Sequence, residues 1–485
     1  MESVLQDLEP RLIWHIFGEI TSIPRPSKKE QKIRAWVKTW AQHNSIPCKE
    51  DDAGNILLQK NATVPHKSYP TLILQAHMDM VCQKNPDVVI DFENDPIPVK
   101  ISDQHVTAEG TSLGADNGIG MAYALAALIT PRLSHGPLEV LLTVDEETGL
   151  NGAFSIEPGF FSGKYLLNLD WEKMGEIIIS SAGGGNMTYT IPFTCQDKEK
   201  WTGVTVAVEG LKGGHSGLDI HLPRPNAIKV LIDALNWIKT DYDLLINKIQ
   251  GGTASNSIPR EAECSFIIPE KEKEKVLMKL IEWKTHTTEQ DQKSEPDMNI
   301  IISGTERAMG PSKKKSDALF TLLNEIPHGP LSYNKEIEGL VQTSNNLGVV
   351  ATHEDTIEVI MHSRSSVQEE LEDLRNSLHI LGKTHGAQVV PGTTYPGWKS
   401  SPQTPFLSFI KDIYETVNRP VSFKGVHAGL ECGILSGLDP QLQLASIGPE
   451  IENAHTPRER VNIKSVELMW NVIKKIIQNM GILSH

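Results

Sequence analysis

The chain has 485 residues, 46 basic and 61 acidic, for a formal net charge of −15. So acidic a surface, with no long basic stripe, argues against nucleic-acid binding, and no apolar run is long enough to span a bilayer. The length predicts two domains, and five scattered cysteines without a CxxC pair predict reduced thiols and a cytoplasmic location.

The stretch to Glu19 mixes acidic with apolar residues and lacks the basic start and cleavage site of a signal peptide, which fits the same location. Ser27 and Glu30 have the spacing of a capping box ahead of Ile33, Trp36, Val37 and Trp40, so an amphipathic helix is expected there. Thr71–Ala76, Leu138–Val144 and Lys164–Leu169 read as buried strands, with a helix at Gly118–Ile129. That alternation predicts an α/β domain with a largely parallel sheet. Gly183–Gly185 then reads as a loose glycine cluster, and Thr188–Thr194 alternates as a strand should. Strands, helices and polar segments such as Glu270–Lys275 and Lys313–Ser316 continue to about Lys399. A helix at Phe406–Val417, a strand at Leu442–Ile447 and a helix at Ile463–Gln478 restore the first pattern. The expected fold is α/β, a mixed, mainly parallel sheet flanked by helices. Residues 1–186 and 400–485 form it, and an α+β domain is inserted at 187–399. The insert is long enough for two αβ lobes and shows no convincing internal repeat.

The acids and histidines fall at strand ends. Thr71–Ala76 runs into His77 and Asp79, Leu138–Val144 into Asp145-Glu146-Glu147, and Lys164–Leu169 into Asp170. Asp116 precedes a helix, and His455 lies on a loop after the last strand. Each piece alone has an ordinary explanation. A His-x-Asp pair is commonly a satisfied core or surface pair, Asp-Glu-Glu a solvated turn, and Asp116-Asn117-Gly118 a tight turn. Ligands bind beyond the carboxyl ends of strands in open α/β sheets, however, and five segments deliver side chains of metal-ligand type to that one edge. Two imidazoles and three carboxylates exceed the needs of one zinc and suit two metals, with zinc, manganese or cobalt all compatible. Asp116 is the natural bridge, having two oxygens. Glu147 can bind metal while Glu146 takes a proton from water, and Asp79 can orient His77.

The motifs HMDM (His77–Met80), LGADNGIGMA (Leu113–Ala122), DEETG (Asp145–Gly149), NLD (Asn168–Asp170) and NAHTP (Asn453–Pro457) resemble the co-catalytic zinc peptidases related to carboxypeptidase G and aminoacylase. IPRPS, GLKGGHSG, NSIPREA, YPGW and HAGLECG extend the resemblance over essentially the whole chain, toward the branch that cleaves Xaa-His dipeptides such as β-alanyl-histidine. The resemblance implies one metal on His77 and Asp170, another on Glu147 and His455, and Asp116 between them, with zinc the leading choice. It implies Glu146 as general base and acid, Asp79 supporting His77, and a cis peptide at Asp116–Asn117. The inserted domain becomes a lid that contacts substrate, and His215 steadies the oxyanion. Asn256 and Arg364 are candidates for the substrate carboxylate, Arg offering a matching fork, and either also reads as a salt-bridge or turn residue. His427 and Glu431 are candidates for the amino end. A homodimer acting on small peptides, away from nucleic acid and membranes, is the expectation.

The same chemistry would serve a tripeptidase or an N-acyl amino-acid deacylase. A homologue retained only for binding would show gaps at Glu146 or among the ligands, and this chain has none. A two-metal phosphatase or nuclease fits the acidic balance and the glutamate pair less well.

Overall fold

The structure, a computed structural model, describes residues 4–305, 308–335, 337–417 and 420–484. The chain divides into two compact units, Met1–Ser181 with Trp398–Gly425 and Leu430–His485, and Ala182–Gly397 with Val426–Gly429.

In the first unit a mixed sheet runs in the order Cys48–Glu50, Ile56–Lys60, Leu138–Thr143, Leu72–His77, Tyr165–Asn168, Gln443–Ser446, Glu176–Ser181, Trp398–Lys399. The central strands, Leu138–Thr143 through Gln443–Ser446, are parallel, and those outside them pair antiparallel. Every residue of Leu72–His77 and Leu138–Thr143 is buried, which is why both read as near-continuous apolar runs. Glu139, polar among them, accepts the backbone N–H groups of Ser162 and Gly163, each at 2.9 Å. The helix Ala115–Ile129 is apolar almost all round and buried on nearly every side. Tyr123 on it stacks on Trp470, with ring centroids 6.2 Å apart, and so joins the helix Ile463–Asn479. The helix includes residues ahead of the expected Gly118, because a kink with non-helical Asp116 and Asn117 belongs to its first turn. The Asp116–Asn117 peptide is cis.

The expected capping box does not form. The helix Gln31–His43 begins after Glu30 with no side-chain cap. Ser27 Oγ donates to Asp79 Oδ2 at 2.7 Å, and Glu30 Oε1 accepts from Lys28 N and Asp145 N at 2.7 and 3.1 Å. A buried carboxylate is a stronger partner for the serine hydroxyl than a solvated helix N–H.

A small antiparallel sheet, unexpected from the sequence, orders Ile451–Glu452, Arg460–Asn462, His105–Ala108 and Val99–Ser102. The loop joining its first two strands carries Asn453 to Glu459 and therefore His455.

In the second unit one antiparallel sheet takes the place of two separate lobes. Its order is Asn299–Thr305, Trp201–Glu209, Ala262–Pro269, Leu245–Gly251, Val341–Thr352, Thr356–Ser365, Gly183–Pro192, Gln388–Tyr395, with Gly329–Tyr333 on Val341–Thr352. Gly183–Gly185 is not a loose cluster but the start of a strand. A Cβ on Gly183 would stand 2.4 Å from the backbone nitrogen of Gly397, so the neighbouring main chain leaves room only for glycine there. The polar segments at Glu270–Lys275 and Lys313–Ser316 are helix beginnings, leading into Lys273–Asp291 and Lys313–Glu325. Helical faces such as Ile228, Leu231 and Leu235 of Ala227–Lys239 share a core with Val206 and Phe266 of the sheet.

Candidate metal centre

His77 ends its strand with 1% of its surface exposed. Its Nε2 lies 3.0 Å from Asp116 Oδ1 and 3.3 Å from Asp170 Oδ1. The other oxygen of Asp116, Oδ2, lies 2.9 Å from His455 Nε2, which is 3.1 Å from Glu147 Oε2. Asp116 thus turns one oxygen to each imidazole, and each imidazole has a further carboxylate beside it. His77, Asp116 and Asp170 form one potential metal-ligating group, Asp116, Glu147 and His455 a second, and His77, Glu146 and Glu147 a third that overlaps both.

The donor chemistry fits two cations. Glu147 Oε1 is buried without a hydrogen-bond partner, and nitrogen and oxygen donors converge with no thiolate among them. The acids crowd one another. Burial, with Asp116 adding to it, drives Asp170 up to about 6, and burial raises Glu146 well above the carboxylate range, helped by Glu147, Asp170 and Glu431. Burial works against a charged His77, but Asp170, Asp116 and Asp79 prevail and hold it well above its ordinary value. Glu172 is pushed up to about 8 by burial and then Asp116. Such a concentration of buried negative charge calls for divalent cations.

Asp79 is the hub on the other side of His77. Its Oδ1 stands 3.4 Å from His77 Nδ1 and accepts Glu146 N at 3.0 Å, while Oδ2 accepts Glu147 N at 3.2 Å. Burial alone would raise its pKa, but His77 and Ser27 bring it below the ordinary value. One ionised carboxylate so orients an imidazole and fixes the turn that carries both glutamates.

Local backbone explains the placement. His77 leaves a strand, Glu146 and Glu147 occupy the turn after Leu138–Thr143, and Asp170 follows Tyr165–Asn168. Asn117 Nδ2 donates to Leu169 O at 3.0 Å and also to Asp170 Oδ1, which aims that carboxylate. Asn453 and His455 both adopt left-handed backbone, with φ of 56° and 62°, in the tight loop that presents the imidazole.

The other candidates lie as follows. His215 is in the second unit, in a short strand paired with Ser257–Ile258. Its Nδ1 accepts from Leu218 N at 3.0 Å and Gly217 N at 3.3 Å, so the neutral ring carries its proton on Nε2. Asn256 is exposed, and its carbonyl accepts Ser216 N at 2.8 Å. Arg364 is buried in Thr356–Ser365 and donates to the Tyr395 hydroxyl at 2.7 Å. His427 Nε2 stands 2.7 Å from Ser344 Oγ, and burial, followed by Arg364, pushes that imidazole down to about 3. Glu431 belongs to the first unit and is fully buried. Its Oε2 accepts Gln75 Nε2 at 2.5 Å and Thr143 Oγ1 at 2.8 Å, beneath the strand ends that lead to His77 and Glu147.

Two charged residues that the sequence did not single out are part of the scaffold. Arg25, 1% exposed, donates to Met78 O at 3.0 Å, to Asp79 O at 2.8 Å and to Gly114 O. Glu459, 2% exposed, accepts the backbone N–H groups of Leu113, Gly114, Ala115 and Asp116. IPRPS and the acid four residues past His455 were visible in the sequence, but their partners are remote and carry no side-chain signature.

Residues 73–479 match the model of peptidase family M20/M25/M40. The chain is 36% identical over 485 residues to the cytosol non-specific dipeptidase of Escherichia coli, covering 99% of each. The crystal structure of aminoacylhistidine dipeptidase from Vibrio alginolyticus superposes with a TM-score of 0.86 at 35% identity, over 98% of this chain and 97% of that one. Aminopeptidase PepT from Bacillus cereus, at 17% identity over 98% of this chain and 99% of that one, shares the fold with a TM-score of 0.56.

Proposed function

This chain belongs to peptidase family M20/M25/M40, and from that premise we propose a cytoplasmic dipeptidase that hydrolyses Xaa-His and related dipeptides with two bound divalent cations. The observation that carries the proposal is Asp116, which offers one oxygen to His77 and the other to His455, with Asp170 and Glu147 alongside. The two named dipeptidases, similar over nearly their full length, support dipeptides as the substrate class.

His77 and Asp170 would hold one cation and Glu147 and His455 the other, with Asp116 between them; zinc is the proposed metal. When bound, the cations supply polarisation of the scissile carbonyl and acidify the attacking water. Glu146 takes the proton from that water and returns it to the leaving amine. Asp79 keeps the His77 ring and the Glu146–Glu147 turn in register for that transfer. His215, its ring proton on Nε2, is assigned the oxyanion contact. Asn256 and Arg364 are assigned the substrate carboxylate, and His427 the amino end. The enclosed position of Glu431 favours support of the strand ends over substrate contact. A homodimer is the proposed assembly, checked by light scattering.

The test combines metal analysis of purified protein with a panel of dipeptides, tripeptides and N-acyl amino acids. About two zinc equivalents per chain and turnover of β-alanyl-histidine and other Xaa-His dipeptides are expected. Cleavage of acyl amino acids with every Xaa-His dipeptide inert would overturn the substrate assignment.

A further inference from the structure

The loop Leu113–Asp116 brings the bridging carboxylate to the centre, yet among its described contacts it is held by charges rather than by apolar packing alone. Glu459 Oε2 accepts Leu113 N at 2.7 Å and Gly114 N at 3.0 Å, and Oε1 accepts Ala115 N at 2.7 Å and Asp116 N at 3.3 Å. Four consecutive N–H groups converge on one carboxylate that solvent barely reaches. Gly114, with φ of 71°, gives the loop the curvature that points them inward. Glu459 also lies on the His455 loop, and its own backbone is tied there, its N–H donating to Thr456 O at 3.0 Å and its carbonyl accepting Thr107 Oγ1 at 2.7 Å. The carboxylate therefore fastens the loop of Asp116 to the loop of His455. Among the described residues no equivalent acid links Asp116 to the His77 strand end; Arg25 does that through carbonyls, those of Met78, Asp79 and Gly114.

We propose that Glu459 is a positioning residue that sets the spacing of Asp116 and His455, and so controls the affinity of the metal held by Asp116, Glu147 and His455 in preference to the one held by His77 and Asp170. The inference rests on the two-metal reading above. A carboxylate can accept four N–H groups, whereas a carboxamide brings its own N–H donors against some of them and leaves buried donors unpaired. Outer partners of this kind typically set metal affinity within about 10–100-fold.

The experiment is a titration of wild-type protein and Glu459→Gln with zinc against a chromophoric chelator, together with cobalt spectra of both. Wild type is expected to bind two metals. The variant should keep one at wild-type affinity, bind the other about 10–100-fold more weakly, and show an altered cobalt spectrum for that weaker metal only. Circular dichroism checks folding; if Glu459→Gln is unfolded, Glu459→Asp, one methylene shorter with its charge kept, is titrated in the same way. Two wild-type affinities in the folded variant, or equal weakening of both metals, overturns the proposal. Wild-type protein that binds fewer than two metals overturns the two-metal reading itself, so the two failures are distinguishable.

Discussion

Glu146 is embedded among acids, and burial followed by Glu147, Asp170 and Glu431 outweighs the attraction of His77 to keep its affinity for protons high. That suits the proposed role of taking a proton and giving it back. Replacing it by glutamine removes the proposed acceptor and leaves the five proposed metal ligands in place. Glu146→Gln is expected to lose about 10²–10⁴-fold in kcat with metal content unchanged, measured by steady-state kinetics and metal analysis. Wild-type turnover in the variant would reject the base assignment. Ser27 illustrates the opposite outcome at this scale. Its spacing to Glu30 suggested a helix cap, and its hydroxyl instead serves Asp79.

At the scale of elements, the site depends on how closely the Ala115–Ile129 helix approaches the end of Tyr165–Asn168. Gly120 makes that approach possible. A Cβ there would stand 2.6 Å from the Leu169 carbonyl oxygen and 2.0 Å from Asn117 Oδ1. Gly120→Ala should therefore push the helix from the strand end and disturb the Asn117 contact to Asp170. A loss of about 1–3 kcal/mol in urea unfolding and weaker zinc binding are expected. An unchanged midpoint would show that the helix can shift without cost. In the second unit, Asn226 caps the helix Ala227–Lys239 by accepting Ile228 N and Lys229 N, and its Nδ2 is 3.3 Å from His328 Nδ1. Burial, then Lys229, pushes His328 down from 6.5 to about 4. Between those values the unfolded chain takes up a proton that the native imidazole refuses. This contribution to stability is complete above about pH 6.5 and is lost progressively as pH falls toward 4. His328→Gln should show a shallower decline in urea midpoint over that interval than the wild type, and parallel curves would contradict it.

For the whole molecule, the two units differ in the chemistry they gather. The first gathers acids and imidazoles that could hold metal at the carboxyl ends of a parallel sheet, where strand ends share one edge. The second contains a long antiparallel sheet that carries Arg364, a separate two-stranded pairing that carries His215, and His427 outside any strand. Because three carboxylates and two imidazoles meet in the first unit, dialysis against a chelator should abolish peptide hydrolysis and lower the melting temperature, with recovery on adding zinc. Activity that survives complete metal removal would be incompatible with the mechanism.

The sequence by itself determined the buried parallel strands and the helix between them, since those signals are local: unbroken apolar runs, then a run rich in alanine and leucine. It also placed His77, Glu147 and Asp170 at or just past strand ends, because a side chain's position along its own strand is a local matter. Only the tertiary structure decided which Asp116 oxygen faces which imidazole, and that His455 arrives on a small second sheet. It also decided that the glycines at 183–185 form a strand and that most strands of the insert join one long antiparallel sheet. Glu459 and Arg25 belong to the same class. The glutamate reaches Leu113 across 346 residues of chain, and both bind main-chain groups that every residue type except proline's missing N–H would offer. A backbone amide leaves no mark in sequence, so the partner of a buried charge is fixed only when the loops meet.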